Sequence, residues 1–250
     1  MELGAVGRAL SLLEVLSKVK SSNLEALSKE TGLPKATALR LLASLCEQGY
    51  VHRDDSDRYS LTLRMFSVGS RALGHVDLLD VAGPVAEALR DETGETVHIG
   101  ILEGYRAVYV LKKESLYTIR MYSRVGRTIP LHCSAIGKCL LSDQNKEYID
   151  GYIAEVGLKR YTKKTVCTPE DLDNVLKQVR TNGYAVDDEE HEEGIYCIAA
   201  PIRDSSGEIV AAMSMSTPLF RLDRDKLEDL YARVKAGCDE ISKALGYIVE

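Results

Sequence analysis

The chain has 250 residues, 45% hydrophobic and 28% charged, enough for one large domain or two unequal ones whose core needs no disulfide or metal staple. Its 19 glycines and 6 prolines exclude a low-complexity or collagen-like polymer, and no run of about 18 apolar residues is available to span a bilayer. The net charge of −6 argues against a protein that coats nucleic acid nonspecifically, although residues 1–60 balance eight basic against eight acidic groups and leave room for a small basic reading surface.

Val6, Leu10, Leu13 and Leu16 recur at helical spacing and predict a first helix with one apolar stripe. Ser22-Asn23 offers a cap for a short second helix whose inward face is Leu24, Ala26 and Leu27. Gly32-Leu33-Pro34 breaks the chain, because glycine tolerates the turn and proline suits the first turn of a new helix. That third helix is expected over 34–48. It should bury Ala38, Leu41, Leu42 and Leu45 and present Ala36, Arg40 and Ala43, with Lys35 and Thr37 near its start. Two β-prone runs, 50–53 and 58–61, flank Asp54-Asp55-Ser56-Asp57 and predict a hairpin. Three short helices and a hairpin make a winged helix-turn-helix pattern.

Beyond it, a helical tether is expected from Leu63 to about Val76, and a second helix from Pro84 to about Thr93. Residues 96–102, 107–111 and 118–122 read as strands, and 134–141 and 146–155 as helices. A further helix has Thr168 as cap, Pro169 at its first position and Glu170-Asp171 in the turn where the helix dipole favours acids. Strands at 196–201 and 209–216 join through Asp204-Ser205-Ser206-Gly207, and a long helix over 224–245 ends the chain. Strands grouped between flanking helices imply an α+β fold on a mainly antiparallel sheet.

A helix fits the major groove of B-DNA with its N-terminal residues at base edges, and Lys35, Thr37 and Arg40 have suitable chemistry. A solvated helix face is the competing reading. In the wing, Arg53 and Arg58 could grip phosphate while the Asp-rich tip would repel it. Farther along, residues 121–138 pass from an expected strand through a loop to a helix start, where backbone N–H groups and Ser134 suit an anionic group such as a carboxylate. The same Ser134 could be only a cap. Gly137-Lys138 is not a triphosphate loop, since His132 stands where the earlier glycine is required.

Residues 187–193 put six carboxylates around His191, which reads as a solvated loop rather than a metal site. Asp187 is the exception, at an expected strand end. Cys133 beside His132, and Cys197, invite a thiol nucleophile, but strand neighbours point to opposite faces and free cysteines on apolar segments are usually buried and inert. The six cysteines are scattered without a C-x-x-C, and the start of the chain lacks the pattern of a secretory signal. Both suit free thiols in a reducing cytoplasm.

Gly32-Leu33-Pro34-Lys35-Ala36-Thr37 with Arg40-Leu41-Leu42, the block 126–138 and the block 183–201 together resemble the IclR family of bacterial transcription regulators, in order and in spacing. Residues 59–63 and 119–124 are similar to the branch that regulates pectin and sugar-acid breakdown. The resemblance implies a winged helix-turn-helix DNA-binding domain at 1–62, a linker helix at 63–79 and a GAF-like effector-binding domain at 80–250. It implies operator DNA contacts from Lys35, Ala36, Thr37, Arg40, Arg53 and Arg58. Carried over residue by residue, the effector pocket would involve Met121, Ile129, Ser134, Ala135, Ile136, Asp187, Ile195, Cys197, Ser214 and Ser216. Members generally pair as dimers or tetramers and sense a small organic acid, here a keto-deoxy sugar acid, with no cofactor. Some relatives hold a metal in this cavity, for which His98, His132, Cys133, Asp187 and Cys197 could supply ligands.

The leading expectation is therefore a ligand-responsive DNA-binding regulator, acting as a repressor. A thiol-dependent hydrolase with an accessory helix-turn-helix, and an interaction module whose second domain is only a dimer scaffold, are the alternatives.

Overall fold

The computed structural model describes residues 4–65, 67–68 and 78–248. The chain divides into two compact units, 1–75 and 76–250.

In the first unit, α1 (Ala5–Ser17), α2 (Leu24–Thr31) and α3 (Lys35–Glu47) enclose a core of Leu12, Leu13, Leu16, Leu27, Ala38 and Leu42, closed by Val51 and Tyr59 from a small sheet. Asn23 caps α2 by accepting from the Ala26 N–H at 2.9 Å. Gly32 ends α2 in the left-handed region (φ 68°), which lets α3 turn away directly after Pro34. The wing is β2 (Val51–Arg53) and β3 (Arg58–Leu61), with an unexpected third strand, β1 (Ser22–Asn23), pairing Ser22 with Tyr59.

Two expectations fail here. Val6 and Leu10 are 75% and 52% exposed, and Leu12 takes the buried place. The core is met by the last turns of α1 alone, so the inward stripe is set by the C-terminal leucines. Ala26 is likewise exposed, because the eight-residue α2 buries only Leu27 fully.

The linker expected at 63–79 is described only at its margins: 63–65 and 67–68 are helical, while 66 and 69–77 lie outside the described residues. Helix α4 (Leu78–Thr93) then runs straight through Gly83-Pro84 instead of starting there. Pro84 removes one N–H bond, but Ala82, Ala86 and Leu89 form an unbroken buried face across it, and packing outweighs the lost bond.

The second unit is built on a six-stranded antiparallel sheet in the order β6-β5-β4-β9-β8-β7. Its strands are β4 (Thr96–Glu103), β5 (Arg106–Lys113), β6 (Thr128–Ile129), β7 (Ala185–Asp188), β8 (Ile195–Arg203) and β9 (Ile209–Pro218). Alternation sends Val97, Ile99, Ile198, Ala200, Met213 and Met215 to one face, beneath α4 and the terminal α8 (Leu227–Ala244). The other face packs against α5 (Ala135–Ser142), with α6 (Lys146–Glu155) and α7 (Pro169–Asn182) beside it. The fold is α+β, as the element pattern implied.

Residues 118–122 are not a strand. The next pairing along the β5 edge is made by β6, so 114–127 connects the two as an unpaired strap, with Ser115 and Ser123 buried and Ile119 and Tyr122 65% and 80% exposed. Arg221 holds it from below, donating from Nη1 to the Ile119 carbonyl at 2.8 Å and stacking its guanidinium on Tyr117.

Candidate functional site

In the first unit, α3 carries Lys35, Ala36 and Arg40 exposed and Thr37 half-buried, at the end a groove-reading helix would use. Arg40 has no ion-pair partner among the described residues and is free to reach outward. Lys35 is not: its ammonium lies 3.0 Å from Glu25 of α2, an exposed pair that costs little to exchange for a phosphate. The wing arginines are also engaged. Arg53 pairs with Asp57 at 2.7 Å, and Arg58 donates to the Ser21 hydroxyl and carbonyl at 2.9 and 2.8 Å.

In the second unit, all ten residues expected at the effector pocket converge on one cavity between the sheet and the start of α5. Met121 comes from the strap, Ile129 from β6, and Ser134, Ala135 and Ile136 from the start of α5. Asp187, Ile195, Cys197, Ser214 and Ser216 come from β7, β8 and β9. Sequence reasoning missed Tyr109, His191 and Glu192. Tyr109 was visible only as one member of a strand alternation, and His191 and Glu192 were hidden in the acidic run. That run is not a solvated loop throughout: Asp187 is 3% exposed and Glu190 pairs with buried Lys138, while Glu192 lines the cavity from an exposed position and Glu193 is exposed.

Local structure explains the arrangement. Ser134 accepts from the Gly137 N–H at 3.1 Å and donates to the Pro130 carbonyl at 2.6 Å, so its hydroxyl is committed as a cap. The first-turn N–H groups of Ala135 and Ile136 have no acceptor within the helix and carry the positive end of its dipole. Gly137 is required by contact, since a Cβ there would meet the Pro130 oxygen and Leu131 Cα at 2.5 Å. Gly100 likewise lets Ile136 approach the sheet, where a Cβ would lie 2.9 Å from it.

Asp187 governs the electrostatics. Its Oδ1 accepts from the Glu190 and His191 N–H groups at 2.7 and 3.2 Å. Burial nonetheless pushes its carboxyl up to about 7, against the opposing pull of Lys138 and those two N–H groups. Burial, with Arg127 nearby, pulls His191 down to about 4, so it is neutral at pH 7. Burial also raises the Cys197 and Cys133 thiols, with Asp187 adding to both. Among the described residues neither thiol is hydrogen-bonded to a histidine: the His132 ring bonds the Tyr152 hydroxyl and the Lys159 carbonyl, at 2.6 and 3.0 Å. The thiol-hydrolase alternative lacks its activated nucleophile.

The metal that some relatives hold does not fit these side chains. Both His132 nitrogens are committed, His98 Nε2 lies 2.6 Å from Ser123 Oγ, and among the described residues no group of three His, Cys, Asp or Glu side chains is placed to hold a metal ion. A larger cleft of ≈ 520 Å3 lies beside Glu95, Arg221 and Arg233. Its three cations are each paired internally, Arg221 with Glu95, Lys226 with Asp223 and Arg233 with both Glu92 and Asp229, so the cleft is left with one acid in excess and does not suit an anionic ligand.

A winged helix-turn-helix joined to a second domain with a small pocket of mixed polar and apolar lining defines a class, the two-domain DNA-binding regulator. Residues 5–55 match the IclR helix-turn-helix domain, and residues 70–243 match the bacterial transcriptional regulator IclR C-terminal domain. The chain belongs to the IclR family of transcriptional regulators, and it is a DNA-binding regulator and not an enzyme. It is 37% identical over 246 residues to the HTH-type transcriptional regulator KdgR of Escherichia coli K12, covering 98% of this chain and 94% of that protein. Against the HTH-type transcriptional repressor AllR of Salmonella typhimurium it is 36% identical over 97% of this chain and 90% of that one. The crystal structure of a putative IclR regulator from Silicibacter sp. superposes with a TM-score of 0.89 at 22% identity, covering 99% and 98% of the two chains, a likeness of fold. Among the described residues no helix is long and apolar enough to cross a membrane.

Proposed function

We propose that the chain is a cytoplasmic, operator-binding repressor that a small organic acid of the sugar-acid type releases from DNA. The observation that carries this is the convergence of hydrogen-bond donors and a buried carboxyl on a single cavity: the Ala135 and Ile136 N–H groups, Ser214 and Ser216, and Asp187. A carboxylate suits the helix start, ligand hydroxyls suit Asp187, and Met121, Ile129 and Ile195 exclude water. AllR, whose name describes a transcriptional repressor, supports repression as the mode of regulation.

The cavity is ≈ 10 Å3, room for about one water, so a ligand of several carbons enters only if a wall moves. That supplies the differential affinity a switch requires, because the ligand-filled and ligand-free walls differ. The segment 63–79 is the covalent connection through which such a change reaches the reading head. As a symmetric dimer or tetramer, the protein would set two α3 helices about 34 Å or a multiple apart on a pseudo-palindromic operator.

The test is titration of operator DNA, at stated salt, with and without each of a panel of sugar acids. Release by one of them supports the proposal. Heat of binding without any change in operator affinity would reduce the second domain to a binding module.

A further inference from the structure

The pocket's open part is one end of a longer polar track across the sheet. Asp187 pairs with Cys197, Cys197 with Ser216, and Ser216 with Thr96. In the adjacent row Ala199 pairs with Ser214, and Ser214 with His98. Directly paired residues on neighbouring strands point to the same face. Thr96 and His98 therefore stand about 4.8 Å, one strand spacing, beyond the serines that line the cavity.

Both are 1% exposed or less, and both hold an atom with no hydrogen-bond partner among the described residues: Thr96 Oγ1 and His98 Nδ1. Buried polar atoms are almost always paired, so two orphans side by side, next to a binding cavity, mark places where a partner belongs. His98 is closed off by parts of the pocket wall itself. Tyr109 stacks on the His98 ring at 4.3 Å, and Ser123 of the strap, two residues from Met121, takes the other ring nitrogen.

We infer that the effector site extends under Tyr109 and the strap, and that Thr96 and His98 read the hydroxylated tail of an acid whose carboxylate sits at the start of α5. This rests on the reading of the cavity as an effector site and adds to it a basis for choosing among acids. A hydroxyl is the complementary group, since it donates or accepts and so matches either tautomer of a neutral His98 and either orientation of the Thr96 hydroxyl. A second anionic group is not: the nearest cation, Lys112, is engaged by Glu114 at 2.7 Å and by the Ser123 carbonyl at 2.7 Å. A short oxo acid would fill only the open end, whereas a polyhydroxylated one would use both.

Calorimetric titration of the full chain with pyruvate, D-gluconate and 2-keto-3-deoxygluconate tests this, on wild type, Thr96→Val and His98→Phe. Phenylalanine keeps the stack on Tyr109 and valine keeps the shape of threonine, and melting curves verify that each variant is folded. The expected result is tighter binding of a hydroxylated acid than of pyruvate, a loss of about tenfold for that acid in each variant, and pyruvate affinity unchanged. Thr96→Ser should retain the preference. Variants that weaken all acids alike, or none, overturn the inference and leave the effector site standing. No binding of any of the three acids removes the sugar-acid reading itself and this inference with it.

Discussion

Lys138, on the second turn of α5, is buried to 2% side-chain exposure and forms an ion pair with Glu190, on the loop that follows β7. That pair fastens the helix whose start faces the cavity to the loop whose N–H groups bond Asp187. Glu190 remains an uneasy partner, because burial raises its carboxyl above the ordinary range despite the ammonium beside it.

Removing one partner alone should therefore be worse than removing both. Lys138→Met leaves a carboxylate buried without its cation and is expected to destabilise the second unit by about 3–5 kcal/mol. Lys138→Met combined with Glu190→Met should recover most of that loss. Urea denaturation of the three proteins measures it. A double variant as weak as the single one would show that the charges matter for more than each other.

Asp187 makes stability depend on pH in a definite direction. Its folded-state value of about 7 lies above the ordinary 3.8, so between those two values the folded chain binds more protons than the unfolded one. Its contribution is fully present below about pH 4 and is lost as pH rises through 7. His98, pulled down to about 3, and His191, pulled down to about 4, act in the opposite sense at acid pH, so the readout is the difference between wild type and Asp187→Asn. The asparagine keeps an acceptor for the Glu190 and His191 N–H groups. Relative to wild type, the variant should gain stability from pH 5 to pH 8, and denaturation midpoints at both pH values check it. A constant difference would mean that Asp187 does not titrate in this range.

Arg40 is the most accessible test of the reading helix, since it is exposed and no ion pair holds it among the described residues. Arg40→Ala should weaken operator binding by about 1–3 kcal/mol, with effector affinity unchanged. Arg58→Ala tests the wing and should cost stability as well, because its guanidinium ties β3 to Ser21. Competition titrations against a scrambled duplex separate base reading from phosphate contact. Equal operator curves for wild type and Arg40→Ala would move the reading surface elsewhere.

What could be read from the chain without coordinates followed locality. Asn23, Ser134 and Thr168 announced their helices because a cap and its N–H partner lie within three residues. Pro84 and the 118–122 run misled for the opposite reason. One was outweighed by a buried face spread over α4, and the other has strand-like residues but lost its edge to β6. The pocket residues were found through the family resemblance, whereas His191 and Tyr109 needed the register of the sheet and the burial of an acidic loop. Lys138 gave no sign that it was buried, since its partner lies 52 residues away. Thr96 and His98 look like ordinary strand residues until the ladder sets them beside Ser216 and Ser214.

The strap provides the last test. Arg221 grips Glu95 with two bonds of 2.8 and 2.9 Å, and Thr217 donates to the same carboxylate at 2.9 Å, so the guanidinium is fixed before it reaches the Ile119 carbonyl and Tyr117. Lysine has one charged nitrogen and no plane to stack, so Arg221→Lys keeps the charge but loses the fork and the ring contact. The strap carries Arg120 and Arg124 among exposed side chains, and both become better trypsin sites if it detaches. Limited trypsinolysis of Arg221→Lys should cut at these two positions several-fold faster than in wild type, at a temperature where both proteins are folded. Because Met121 and Ser123 belong to the same segment, the variant should also bind and release an effector faster, with a smaller change in affinity than in rate. Unchanged cleavage at Arg120 and Arg124 would mean that other anchors, among them the Leu116 N–H on the Gly94 carbonyl, Lys112 on the Ser123 carbonyl and the His98–Ser123 bond, hold the strap without Arg221.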